Sequence, residues 1–113
     1  MGEQMTVVSV WRTALNDFIE QLRRVYGSQL DNVVLYGSRA RGDAGPESDI
    51  DTLVVLNPSG DFWAEFERIS PIASRVSLQY DVVISAIPVD RSEFRQATSP
   101  LLLNVRREGV PVA

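Results

Sequence analysis

Asp49 and Asp51 flank Ile50 just before the apolar run Leu53-Val54-Val55-Leu56, and carboxylates at i and i+2 on a strand leave the same face. Their Cα atoms would stand about 6.5 Å apart. Side chains converging on that scale can bracket divalent ions, which two-metal sites hold about 3.5–4 Å apart. Unpaired, the two acids would repel; a hard cation removes the repulsion, and oxygen-only ligands favour Mg²⁺ or Mn²⁺ over zinc or copper. Ahead of them, Gly37-Ser38 directly follows the apolar run Val33-Val34-Leu35-Tyr36, where a strand ends and a turn begins. Gly37 lets a phosphate approach the backbone, and Ser38 offers a hydroxyl and a possible N-cap, so that the N–H groups of the next turn face an anion. Arg39 and Arg41 follow, with guanidinium groups suited to phosphate oxygens. Each half alone is a common feature, a solvated Asp-x-Asp loop end or an ordinary turn. Together they suggest a metal–nucleotide site, and it is not a Walker loop, because no Gly-Lys-Ser/Thr follows and the chain has no lysine.

The string Gly37-Ser38-Arg39-Ala40-Arg41-Gly42, followed by Ser48-Asp49-Ile50-Asp51, resembles the signature of minimal nucleotidyltransferase (MNT) domains in the DNA polymerase beta superfamily. The ten residues between Ser38 and Asp49, the Ala-Arg-Gly triplet and the serine before the first aspartate all enter the match. The resemblance extends over nearly the whole chain, through Leu103-Asn104-Val105-Arg106-Arg107-Glu108-Gly109-Val110, which is similar to the closing helix and strand of these domains. It implies one domain over 1–113 with a mixed α/β, polymerase-beta-like fold, a small mixed sheet flanked by helices. A third carboxylate from a later strand is also implied, and Asp81 in Tyr80-Asp81-Val82-Val83-Ile84 is the candidate. The implied site has Asp49, Asp51 and Asp81 as catalytic and metal-binding acids, with Gly37, Ser38, Arg39, Arg41 and Ser48 around the phosphates. One departure is Thr52, where the family usually has an aliphatic residue; threonine is compatible with a strand.

The activity so implied is Mg²⁺-dependent transfer, with Mn²⁺ as a substitute, of AMP from ATP to an acceptor hydroxyl. Stand-alone MNT domains are commonly paired with a small helical HEPN toxin, acting as antitoxins that adenylylate a toxin tyrosine. The resemblance therefore implies a HEPN-type partner. A non-catalytic module that neutralises its partner by contact is the alternative.

Composition narrows the chemistry from the other side. Among 113 residues there are no cysteines and no histidines, which excludes disulfides, thiolate metal sites, Ser-His-Asp triads and His-zinc centres. A net charge of −4 disfavours a broad nucleic-acid-binding surface. The eleven basic residues are all arginine, which for most of them reads as compositional bias. No secretory signal or apolar run of membrane-spanning length is visible, so the expected compartment is the cytoplasm and no membrane partner is expected.

Elements to position these residues follow from periodicity. Val7, Val10, Trp11, Leu15, Phe18, Ile19, Leu22 and Val25 predict an amphipathic helix over roughly 6–26, ended by Gly27. Strands are predicted at 33–36 and about 50–56, on either side of the loop 37–48. A helix over roughly 62–76 follows, with Phe62, Phe66 and Ile69 on one face and Pro71 kinking or interrupting it. A third strand at 80–86 is closed by Pro88, and a helix over about 99–108 has Ser99 as its cap and Pro100 at its first position. Trp11, Phe18, Phe62 and Phe66 are expected in the core, whereas Trp63, Tyr26 and Tyr80 are expected partly exposed.

Overall fold

In the computed structural model, residues 10–113 are described; the expected helical start at residue 6, with Val7, lies outside them. Helix α1 (Val10–Tyr26) buries Leu15, Phe18, Ile19 and Leu22 of the predicted stripe together with Ala14, whereas Val10 and Val25, at the two ends of its described part, are exposed and Trp11 is half-buried. Gly27, at φ 56°, ends it in a conformation that costs glycine little. A short 3₁₀ turn (Gly27–Gln29) leads into β1 (Leu30–Tyr36), then the single-turn α2 (Ser38–Arg41) and β2 (Ile50–Leu56). Next come α3 (Phe62–Tyr80), β3 (Ile84–Asp90), α4 (Arg91–Gln96), α5 (Pro100–Glu108) and β4 (Val110–Pro111).

The sheet runs β3-β2-β1-β4, with β1 antiparallel to both neighbours and β2 parallel to β3. It is therefore mixed and flanked by helices, as the family resemblance implies. One face packs on α1 and α3 through Phe18, Leu22, Leu35, Val54, Ile69 and Val76. On the other, Val34, Leu53 and Val55 pack on Leu102 and Val105 of α5. Because β2 is covered on both faces, its run reads as continuously apolar. Thr52 is fully buried within it, and its hydroxyl donates to the Ser85 carbonyl at 2.8 Å, so the polar group at an aliphatic position is satisfied.

Four expectations need correction. Helix α3 runs through Pro71 to Tyr80. Ile69, Ile72, Ala73 and Val76 carry one apolar face across the proline, and that burial outweighs the penalty of about 3 kcal/mol. The third strand consequently starts at 84 rather than 80, and Pro88 lies inside it, opposite Val54. Phe62 is 43% exposed and forms an aromatic cluster on α3 with Trp63 and the half-buried Phe66, outside the core. Tyr26, conversely, is buried, and its hydroxyl donates to Glu65 at 2.8 Å. The end of the chain follows the sequence closely: the Ser99 side chain accepts from the Leu102 amide, and Pro100 opens α5. Helix α4, capped by Asp90, was not anticipated.

Candidate active site

The strand register brings the motif together. Tyr36, the last residue of β1, stands opposite Asp51 of β2, and Asp51 stands opposite Ser85 of β3. Between β1 and α2 the chain turns at Gly37, with φ 73° and ψ −155°. A Cβ built there would lie 2.5 Å from Asp51 Oδ2, so glycine is required both by the backbone conformation and by the approach of the carboxylate. In the following turn the Ala40 and Arg41 amides donate to the Gly37 carbonyl, while Gly42 and Asp43 donate to that of Ser38. The amides that open the turn, Ser38 and Arg39, have no intrahelical acceptor. Ser38 is itself the first helical residue; Gly37 holds the cap position with no side-chain cap, which corrects the expectation that Ser38 would be the N-cap.

Asp49, exposed, and Asp51, partly buried, lie close enough to interact. Burial first, and then the charge of Asp49, push the Asp51 carboxyl above the usual carboxylate range. Burial and the charge of Asp51 likewise push the Tyr36 phenol up. Among the described residues no hydrogen-bond donor meets the Asp51 carboxylate. Two such acids beside an anion-sized turn fit a hard divalent cation whose coordination is completed by water and substrate phosphates.

Asp81 does not join them. It caps the C-terminus of α3 in the left-handed conformation, φ 55°, four residues before the strand position level with Asp51. Among the described residues no cluster of three His, Cys, Asp or Glu side chains could hold a metal. The three expected acids therefore do not converge, because α3 extends through Tyr80 and delays the strand, leaving Asp81 out of register with Asp51. Asp81 instead lines a cleft of 420 Å³ with Trp11, Arg39 and Pro46.

The arginines are also committed locally. Arg39 lies 5.0 Å from the Trp11 ring centre and donates to the Ser48 carbonyl at 3.2 Å, pinning the loop that precedes Asp49. Ser48 Oγ accepts from the Gly45 amide, closing the same loop. Arg41 pairs with Asp43 at 3.1 Å and Glu108 at 3.5 Å, at the rim of a small hollow beside Tyr36 and Gly37. Sequence reasoning missed Ser85 and the placement of Tyr36, because pairing across strands leaves no local signal.

Comparison with known proteins gives three likenesses and one family. The family described as "Nucleotidyltransferase domain" matches residues 15–107. A relative from Methanocaldococcus jannaschii named "Putative protein adenylyltransferase" is 40% identical over 73 residues, 65% of this chain and 73% of that protein. A crystal structure of a putative nucleotidyltransferase from Sulfolobus solfataricus superposes with a TM-score of 0.66 at 21% identity, covering 93% of this chain and 83% of that one. A chain from the complex of tri-AMPylated Shewanella oneidensis HEPN toxin with MNT antitoxin has a TM-score of 0.50 at 18% identity, covering 87% and 70%. Among the described residues no helix is long and apolar enough to cross a membrane.

Proposed function

The chain belongs to the nucleotidyltransferase domain family, and on that premise we propose that it transfers AMP from ATP to a hydroxyl of a protein partner, as the antitoxin of a pair whose toxin is a small helical HEPN-type protein. The observation that carries this reading is the unneutralised Asp49–Asp51 pair against a turn that only glycine can make. The name of the 40% identical relative supports a protein acceptor. The HEPN–MNT complex of like fold makes the pairing a natural one to test. The reading takes residues 1–113 as one domain working in the cytoplasm, where ATP and Mg²⁺ are available.

Asp49 and Asp51 would hold Mg²⁺, which supplies charge neutralisation for the triphosphate when bound. Beside it, Gly37 gives the Asp51 carboxylate room against the turn, and the Ser38 hydroxyl with the amides that open α2 would donate to phosphate oxygens. Arg39 and Ser48 fix the loop that aims Asp49, and Arg41, at the rim, is placed to release Asp43 and grip a phosphate. Transfer forms a bond from the acceptor oxygen to the α-phosphorus and breaks the bond to pyrophosphate, with the acceptor proton lost to solvent. Asp81 stands outside this acid set.

A second reading has its own observation behind it, since only two of the three expected acids converge: the protein neutralises its partner by contact and uses the site for nucleotide binding alone. Mass spectrometry of the neighbouring gene product, after incubation with this protein, ATP and Mg²⁺, separates the two. Transfer adds the mass of AMP to the partner with the wild type and not with Asp49→Asn or Asp51→Asn. An unmodified partner that wild type and both variants still neutralise establishes the contact reading instead.

A further inference from the structure

Among the described residues, strand β3 is an edge of the sheet, paired only with β2. The Val83 carbonyl accepts from the Ile50 amide at 2.8 Å, and the Ser85 carbonyl accepts from the Thr52 hydroxyl, so the backbone groups of 83 and 85 point inward. Alternation along the strand turns those of Ile84, Ala86 and Pro88 outward, to the open edge. Two of the three outward positions are closed as donors. The Ile84 amide donates to Ser77 Oγ at 3.0 Å, and Pro88 has no N–H, as suits a proline on an edge. What remains is a short window at Ala86, whose N–H has no acceptor among the described residues, and the carbonyls around it.

This window lies between the catalytic acids and a hollow. On one face of the sheet, Ser85 stands level with Asp51 and has the smallest side chain of that row of β3, with Ile87 and Val89 further along. On the other face a 180 Å³ hollow runs between β3 and α3, lined by Phe66, Ser70, Ala73 and Ser74. Next to it, Phe62, Asp90 and Glu93 line a second hollow of 350 Å³.

We infer that the acceptor enters as an extended segment that pairs with β3 at Ala86, an inference that rests on the transfer activity proposed above. Backbone pairing supplies register, and alternate side chains go to opposite faces. One enters the hollow against Phe66 and Ala73; its neighbour passes over Ser85 towards Asp51. That neighbour starts two strand spacings from Asp51, about 9.6 Å between Cα atoms, a span a tyrosine side chain bridges and a serine or threonine does not. A basic residue at the Glu93 end completes the match by charge, since both oxygens of the adjacent Asp90 already accept from Ser59 and Ser92. The occupant is thus an extended segment that carries the tyrosine the family resemblance implies, with flanking arginine or lysine.

The test uses the full-length protein with Mg²⁺, labelled ATP and the peptide Arg-Val-Tyr-Val-Arg, beside copies with serine for tyrosine or with N-methylated backbone amides. Transfer to the tyrosine peptide is expected, and N-methylation is expected to lower it about tenfold, the effect of losing strand hydrogen bonds. Exchange of the Ala86 amide, followed by NMR, should slow about tenfold with the tyrosine peptide. Ala86→Pro should lose peptide labelling while retaining ATP binding; if it fails to fold, the N-methylated peptides decide alone. Equal labelling of normal and N-methylated peptides, with Ala86 exchange unchanged, overturns the inference. If ATP binds and no acceptor is labelled, the transfer reading fails, and protection of Ala86 alone decides the docking mode.

Discussion

Two carboxylates, one buried and one partly buried, have opposite situations. Glu65 on α3 is only 4% exposed, yet it accepts from the Tyr26 hydroxyl at 2.8 Å and the Gly60 amide at 2.9 Å, with Arg68 at 3.7 Å. Asp51 on β2 is partly buried and faces another carboxylate and a glycine turn. The first acid ties α1, α3 and the 58–61 loop together, and its charge is spent within the fold. The second has no hydrogen-bond donor among the described residues, and burial and the charge of Asp49 raise its affinity for protons, the situation in which the proposed cation would be held. An acid withdrawn from solvent is thus read by its donors: partnered, it is a staple; beside a like charge, it is a candidate for binding a cation.

Substituting each acid separates the two regions most sharply. Asp51→Asn should lower AMP transfer by about 1,000-fold in a labelling assay, with thermal stability held or raised because the repulsion from Asp49 is gone. Gly37→Ala should cost about 100-fold in transfer, since the new Cβ displaces the Asp51 carboxylate, and circular dichroism should still report a folded protein. Glu65→Leu reverses the pattern: denaturant unfolding should show a loss of about 2–3 kcal/mol, from an unpaired Tyr26 hydroxyl and Gly60 amide, while transfer per folded molecule is kept.

The smallest effect is in pH. Asp51 has a folded-state pKa raised above its ordinary 3.8, so the fold is favoured while the group is protonated. That advantage is lost as pH rises through the raised value. Asp51→Asn should therefore gain stability over wild type at neutral pH, with the gap closing as pH falls through the carboxylate range. Nucleotide binding should run the other way and strengthen as Asp51 ionises. A gap independent of pH would remove Asp51 from the pair.

How far the sequence alone reached can be traced to particular residues. β2 and α5 were legible because burial on both faces gave the first a continuous apolar run, and Ser99-Pro100 punctuated the second. The Gly-Ser and Asp-x-Asp spacing located the turn and its acids, since those demands are local. What local sequence did not carry was competition between elements. Pro71 argued for a break, but the apolar face continuing through Ile72 and Val76 kept α3 helical, moving β3 forward and Asp81 out of register. Pro88 looks like a terminator in local sequence because edge status is a property of the sheet. Phe62 and Phe66 kept helical spacing with Ile69, yet they project beyond the core beside the edge of β3.

Paramagnetic broadening by Mn²⁺ in the presence of ATP, read on backbone amides by NMR, addresses the nucleotide site most directly. The geometry expects broadening centred on Gly37, Ser38, Asp49 and Asp51 in the wild type and its loss in Asp51→Asn, with Glu65→Gln behaving as wild type. Broadening centred on Asp81 and the Arg39 cleft, or unchanged in Asp51→Asn, would contradict the assignment of the Asp49–Asp51 pair as the cation–nucleotide site.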